Sequence, residues 1–200
     1  LSRRLLETFG GFPATGDGHL SEYTHWAHHL PTQPWVKYNI RLYDWDAAEK
    51  RREEMWQEIQ TMVNGGPIVG RVHDGSGEAV LPVILGILEN RNTYEVAVDI
   101  PNEGYISNLS DGAIVEVPGI TSRFGVRGVG VGPLPEAVAA LCRTQISIAS
   151  LAVDAAVKGD RQMAMQALLL DPTVNDIDQA REMFEEMLTL QATYLPQFYS

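Results

Sequence analysis

From Pro135 to Lys158 the chain reads PEAVAALCRTQISIASLAVDAAVK, with no glycine and no proline after the first position. Apolar and small side chains fall on nearly every face of the helix this segment would form. Such a helix is expected to be central and buried. Pro135 suits a first helical turn and Gly159 an end. Two more helices are expected behind it. Asp160 can cap RQMAMQALLL, which must stop before Pro172. A third should run from Asp176 to about Gln191, with its acids early, where the helix dipole favours them.

The first half of the chain is patterned differently. SRRLLETF is a short amphipathic stretch closed by Gly10 and Gly11. Asp46 should open a long helix through EKRREEMWQEIQTMV that stops at Gly65-Gly66-Pro67. Asp46 and Glu49 have capping-box spacing. A turn is expected at Gly75–Gly77. Residues 78–89, EAVLPVILGILE, suit either a buried strand or a helix with Pro82 in its early turns, and we read a helix. Three strand-like runs follow at 93–100, 113–117 and 122–129, each bounded by Gly, Pro or Asn. With no internal repeat, low-complexity tract or linker, the expectation is a single α+β domain over residues 1–200. At that length about 70% of the unfolded surface can be buried, so no disulfide or metal staple is required.

Charge and cysteine content narrow the partners. Fifteen Lys and Arg against 26 Asp and Glu leave a net charge of −11, which disfavours a nucleic-acid binder. No apolar run reaches the ~18–20 residues of a membrane helix, and no membrane partner is expected. No secretory pattern opens the chain. The lone Cys142 excludes an intrachain disulfide and a multi-cysteine zinc site, and points to a reducing cytoplasm. It lies in the most apolar helix, where a cysteine is ordinarily an inert small hydrophobe.

Four of the five histidines fall between His19 and His29. His25 and His29 are spaced i, i+4, as two metal ligands on one helix would be. The intervening residues are Trp26, Ala27 and His28, without the Glu a zinc hydrolase uses as base, and no third ligand is evident. A surface or loop role is the better reading, and no metal ligand is assigned. Gly16-Asp17-Gly18-His19 offers a carboxylate base beside an imidazole donor on a glycine-freed loop. The same Asp17 could equally cap a helix at HLSEY. Asn102 and Asn108 leave a strand through a turn, where asparagine braces its own backbone or points outward to sugar hydroxyls. Arg123 could clamp a carboxylate or stand as a solvated strand-end charge. There is no GxGxxG after a strand, no Walker loop and no GxSxG elbow. Gly128–Gly132 runs into prolines without the helix start that would face a pyrophosphate.

In order along the chain, RLLETFGGFP, GDGHLSEY, IPNEGYISNL, AIVEVPG, GVGPLPEAVAAL, ALLLDPTV and TYLPQF resemble the carboxyl-terminal half of glycoside hydrolase family 4. Within that family the likeness is to the α-glucosidase, α-galactosidase and α-galacturonidase branch. The resemblance implies a substrate domain like that of lactate and malate dehydrogenases, preceded by a dinucleotide-binding domain that this chain lacks. It implies an enzyme using NAD and a divalent metal, Mn2+, whose main binding residues lie upstream of Leu1. Hydride would pass from sugar C3 to NAD, a base would remove the acidified C2 proton, and the glycosidic oxygen would leave by elimination, outside the usual two-carboxylate scheme. Asp17 matches the position of the proposed base in the family's Gly-Asp-Arg-His motif. His19 would contact substrate or a metal-bound water, and Asn102, Asn108 and Arg123 would bind substrate. Gly18 stands where the family has arginine, which bears on the sugar accepted. Homodimers or tetramers are implied as well. Two alternatives stay open on the residues alone: a non-enzymatic dimerising module, and the substrate domain of a 2-hydroxy-acid dehydrogenase.

Overall fold

Gly10 takes the left-handed conformation (φ 73°) and closes the first helix with its N–H on Leu6 O, as the glycine pair suggested. The computed structural model describes residues 1–11, 14–29, 31–68 and 79–199. The turn expected at Gly75–Gly77 lies outside them. In chain order there are α1 (Ser2–Phe9), α2 (Asp17–Glu22), α3 (Pro34–Lys37), α4 (Trp45–Val63) and α5 (Val80–Leu88). Strands β1 (Tyr94–Pro101), β2 (Ile114–Ser122) and β3 (Gly125–Gly128) come next, then α6 (Glu136–Lys158), α7 (Arg161–Leu170) and α8 (Ile177–Leu190). The strands form one sheet in the order β1-β2-β3. Helices with a small sheet make the class α+β, as expected. The chain divides into two compact units, one of residues 1–41, 99–117 and 130–200, the other of 42–98 and 118–129.

In the first unit Ile106, Leu109, Val115, Val117 and Ala139 form the buried core, with Cys142 and Ile146 packed against it. Ala139, Cys142 and Ile146 share one face of α6, at spacings of three and four. Against the expectation from its sequence, α6 is not buried all round. Only Ala139 and Ala155 of that helix are buried, while Val153 and Val157 are 63% and 78% exposed. Its seven alanines supply helix propensity and small contact surfaces rather than an apolar coat that has to be covered. By length and composition α6 could also cross a bilayer, against the expectation that no segment does. Scattered Ser, Thr and Gln interrupt every apolar run without making the helix polar on average. The helix packs on α7, which packs on α8. Asp160 and Asp176 cap α7 and α8 as read, accepting from Met163 N (2.9 Å) and from Asp178 N and Gln179 N (3.0 Å each).

In the second unit α4 is capped by Asp44, whose carboxylate accepts from Ala47 N at 3.0 Å. The expected cap, Asp46, sits one residue inside the helix. An N-cap needs extended backbone, and Asp44 has it (φ −96°, ψ 97°). α5 is a helix, with Pro82 in the first turn where its missing N–H costs nothing. Gly86 is required by close approach: a Cβ there would lie 2.4 Å from Thr121 Oγ1. β2 continues through Pro118 to Ser122, beyond its expected end at Val117. It pairs antiparallel with β3 from Gly119↔Gly128 to Ser122↔Gly125. Pro118 has no N–H to give the ladder and contributes only its carbonyl, which accepts from Val129 N (2.7 Å). The third strand is therefore shorter than the expected 122–129, and the reversal falls at Arg123–Phe124.

Candidate functional site

Asp17 is the first residue of α2, preceded by extended Gly16 (φ −69°, ψ 162°). Its carboxylate does not cap its own helix. It reaches the start of α1, where Oδ2 accepts from Leu1 N at 2.7 Å and Oδ1 accepts from Ser2 N at 2.8 Å. Ser2 Oγ donates to Oδ1 as well. The Leu1 amino group first, then the Ser2 donors, hold the carboxyl down from 3.8 to about 2, so it is ionised at neutral pH. The amino group's share requires a free amine at Leu1, whereas the two Ser2 bonds do not. The carboxylate side chain keeps 38% of its surface exposed.

The glycine-freed loop expected at Gly16–His19 is instead the first turn of α2, with only Gly16 extended before it, and that turn is open. Nothing lies within 4 Å of where a Gly18 side chain would begin. His19 is exposed, its Nδ1 2.9 Å from Glu22 Oε2, and its ring meets Tyr23 edge-on with centroids 6.0 Å apart. A cavity of about 680 Å³ lies alongside, walled by Leu5 and Phe9 of α1, Leu20 of α2, and Leu141 and Cys142 of α6. Glu116 is the one charged side chain on it among the described residues, and Asp17 itself is not on its wall. Burial pushes the Cys142 thiol up, which keeps it protonated and unreactive as its helix position suggested.

The three remaining expected contacts do not gather at this cavity. Asn102 is 1% exposed. Its Nδ2 donates to the carbonyls of Ile106, Leu109 and Ser110 (3.0–3.2 Å), and its Oδ1 accepts from Ile106 N (3.0 Å). Asn108 clasps Leu134, donating to its carbonyl and accepting from its N–H, both at 2.9 Å. Both asparagines brace backbone. Arg123 sits in the β2–β3 reversal, its N–H on Asn90 Oδ1 (3.0 Å) and its guanidinium over the Phe124 ring at 4.8 Å. It belongs to the second unit.

The histidine segment is not a helix, so the i, i+4 geometry of His25 and His29 is not realised. His25 stacks near Trp26, His29 Nδ1 meets Thr32 Oγ1 at 2.8 Å, and His28 presents its carbonyl to Asn175. No three His, Cys, Asp or Glu side chains group as metal ligands among the described residues. Sequence reasoning missed Ser2. It is 8% exposed and donates twice to a carboxylate fifteen residues away. A serine in a short amphipathic helix gives no sign of that partner.

Residues 2–174 match the model of the family 4 glycosyl hydrolase C-terminal domain. The chain is 30% identical to an alpha-galactosidase of Rhizobium meliloti over 97% of its own length and 41% of the relative's. It is 30% identical to an alpha-glucosidase of Erwinia rhapontici (98% and 39%) and 32% identical to an alpha-galacturonidase of Bacillus subtilis (92% and 40%). The crystal structure of lplD from Bacillus subtilis superposes with a TM-score of 0.77 at 30% identity, over 94% of this chain and 42% of that one. A 6-phospho-alpha-glucosidase from gut microorganisms, solved in complex with NAD and Mn2+, gives 0.71 at 25% identity, over 98% and 43%. The chain thus spans about two fifths of the length of the relatives it matches. On the match over 2–174 it belongs to the family 4 glycosyl hydrolases, as a carboxyl-terminal domain of that family.

Proposed function

We propose that this chain is the substrate-facing, base-carrying half of an NAD- and Mn2+-dependent glycosidase that cleaves O-glycosyl bonds of α-linked hexosides or hexuronides. The observation that carries the reading is the match of nearly the whole chain to a domain of that family. The likeness to a neighbour solved with NAD and Mn2+ supports both cofactors. The described residues here offer no grouped ligand set for a metal and the sequence has no dinucleotide fingerprint. Both groups belong in this reading to a dinucleotide-binding domain outside residues 1–200. The chain itself takes the part of a single substrate domain of the lactate and malate dehydrogenase kind. Isothermal titration of this chain alone with Mn2+ and with NAD should give no saturable heat. Tight binding of either would overturn that division of labour.

The task left to this chain's own residues is to accept the C2 proton of the C3-oxidised sugar. Asp17 is the group we assign to it. It is partly exposed at the start of α2 and stands at the base position of the family's motif, which carries the assignment; the donors that keep it ionised also weaken it as a base. His19, exposed two residues on, is assigned to substrate or to a metal-bound water. Asn102 and Asn108 are assigned to the sugar through the loops they brace, and Arg123 is kept as a substrate contact on the family resemblance alone. Exposed Val153 and Val157 suit a homodimer or tetramer, and the reduced Cys142 suits a cytoplasmic enzyme.

The experiment is Asp17→Asn in the enzyme that contains this chain. C2 hydrogen exchange in deuterated water should fall by at least about 100-fold, the usual scale for a lost general base. Near-normal exchange would reject the assignment.

A further inference from the structure

We propose that Ser2 is a positioning residue for Asp17, because its backbone N–H and its hydroxyl both donate to Oδ1 and so leave Oδ2 as the oxygen that takes the proton. The inference rests on the reading of Asp17 as proton acceptor. An ionised carboxylate has about four acceptor positions, two on each oxygen. Both on Oδ1 are filled by Ser2. Oδ2 takes no bond from Ser2, meets Leu1 N alone, and keeps room for the proton. Two donors from a single residue also fix the plane of the carboxylate, which one bond would leave free to rotate.

The donor is itself held. Ser2 is 8% exposed, so water has little access to compete for its hydroxyl, and its place in the first turn of α1 sets both donors in one fixed relation. The charged neighbours are accounted for. The Leu1 nitrogen faces the carboxylate, as a cation where Leu1 carries a free amine and as an uncharged amide where the chain continues before it. On α1 both Arg3 and Arg4 pair with Glu7, and on α2 His19 pairs with Glu22. Ser2 thus supplies the neutral donors on Asp17. Both favour the ionised form, so removing the hydroxyl makes the carboxyl easier to protonate. The acid limb of activity must then move to higher pH.

The test uses the full enzyme with Ser2→Ala, Ser2→Thr, Ser2→Cys and Asp17→Asn. Three quantities are read: the pH profile of kcat, KM, and C2 hydrogen exchange. Ser2→Ala should lower exchange and kcat by about 10- to 100-fold, the scale of a reacting group displaced by about an ångström. KM should change by less than about threefold, as befits a group acting only on the reacting atoms. The acid limb should shift upward, and Ser2→Thr, which keeps the hydroxyl, should restore both rate and profile. If Ser2→Ala does not fold, Ser2→Cys gives the same reading, since it keeps the volume and loses the strong donor. A variant lacking the hydroxyl with an unmoved acid limb and normal exchange, changed only in thermal stability, makes Ser2 a tie between helices and overturns the proposal. Loss of exchange in Asp17→Asn alongside that result fails this inference alone. Normal exchange in Asp17→Asn fails the base assignment and this inference with it.

Discussion

Asn102 and Asp17 are both polar side chains bonded to backbone, and they end in opposite conditions. Asn102 is buried, with its amide shared among three carbonyls and its oxygen on Ile106 N. Nothing on it is left to offer a ligand. Asp17 also satisfies backbone, on Ser2 and Leu1, yet its Oδ2 keeps room for a proton and more than a third of its side-chain surface stays exposed. Unfilled capacity, and not polarity or position in a loop, separates a group that can meet a substrate from one that holds the fold.

The sharpest way to break that contrast is Asn102→Ala. It strands two carbonyls or more and one N–H in a dry site and should cost about 3 kcal/mol or more, measured by denaturant unfolding. A loss below about 1 kcal/mol would show that water can replace the amide. Asn108→Ala removes a single two-bond clasp on Leu134 and should cost about 1–2 kcal/mol. Asp17→Asn should cost less, about 1 kcal/mol, because the group is partly exposed, and the loss should depend on pH. With a free amine at Leu1, the carboxyl of the folded chain is held at about 2 against an ordinary 3.8. Its stabilisation is therefore full above 3.8 and disappears as the pH falls toward 2. Thermal melts of the two proteins should differ at pH 6 and converge near pH 2. The smallest effect belongs to a fully exposed cap. Asp44→Ala should cost about 0.5–1 kcal/mol and Asp46→Ala clearly less, since only Asp44 bonds a helix N–H.

Local signals were readable where they act locally. The helices behind Pro135 begin and end where Asp160, Asp176 and Gly159 say they should, because capping involves only the next three residues. The Asp44 cap was missed because two aspartates two residues apart both fit the pattern, and only backbone angles choose between them. Burial of α6 was misread because an apolar helix shows its composition but not its neighbours. At the site, the Gly-Asp-Gly-His motif stood out in the sequence, though it was read as a loop and is a helix start, whereas its partner Ser2 did not. The bond between them joins segments fifteen residues apart, and no periodicity records such a meeting. The bracing roles of Asn102 and Asn108 were half legible. A turn asparagine has two uses, and only the positions of the Ile106 and Leu134 backbones decide between them.

The most direct test of the assignment is a crystal structure of the full enzyme with an unreactive sugar analogue in place. We expect an Asp17 carboxylate oxygen within about 3.5 Å of the sugar C2, the separation of a near-attack arrangement, with Ser2 still on Oδ1. A sugar seated beyond about 6 Å, with some other side chain against C2, would contradict the account, because no proton passes directly over that gap.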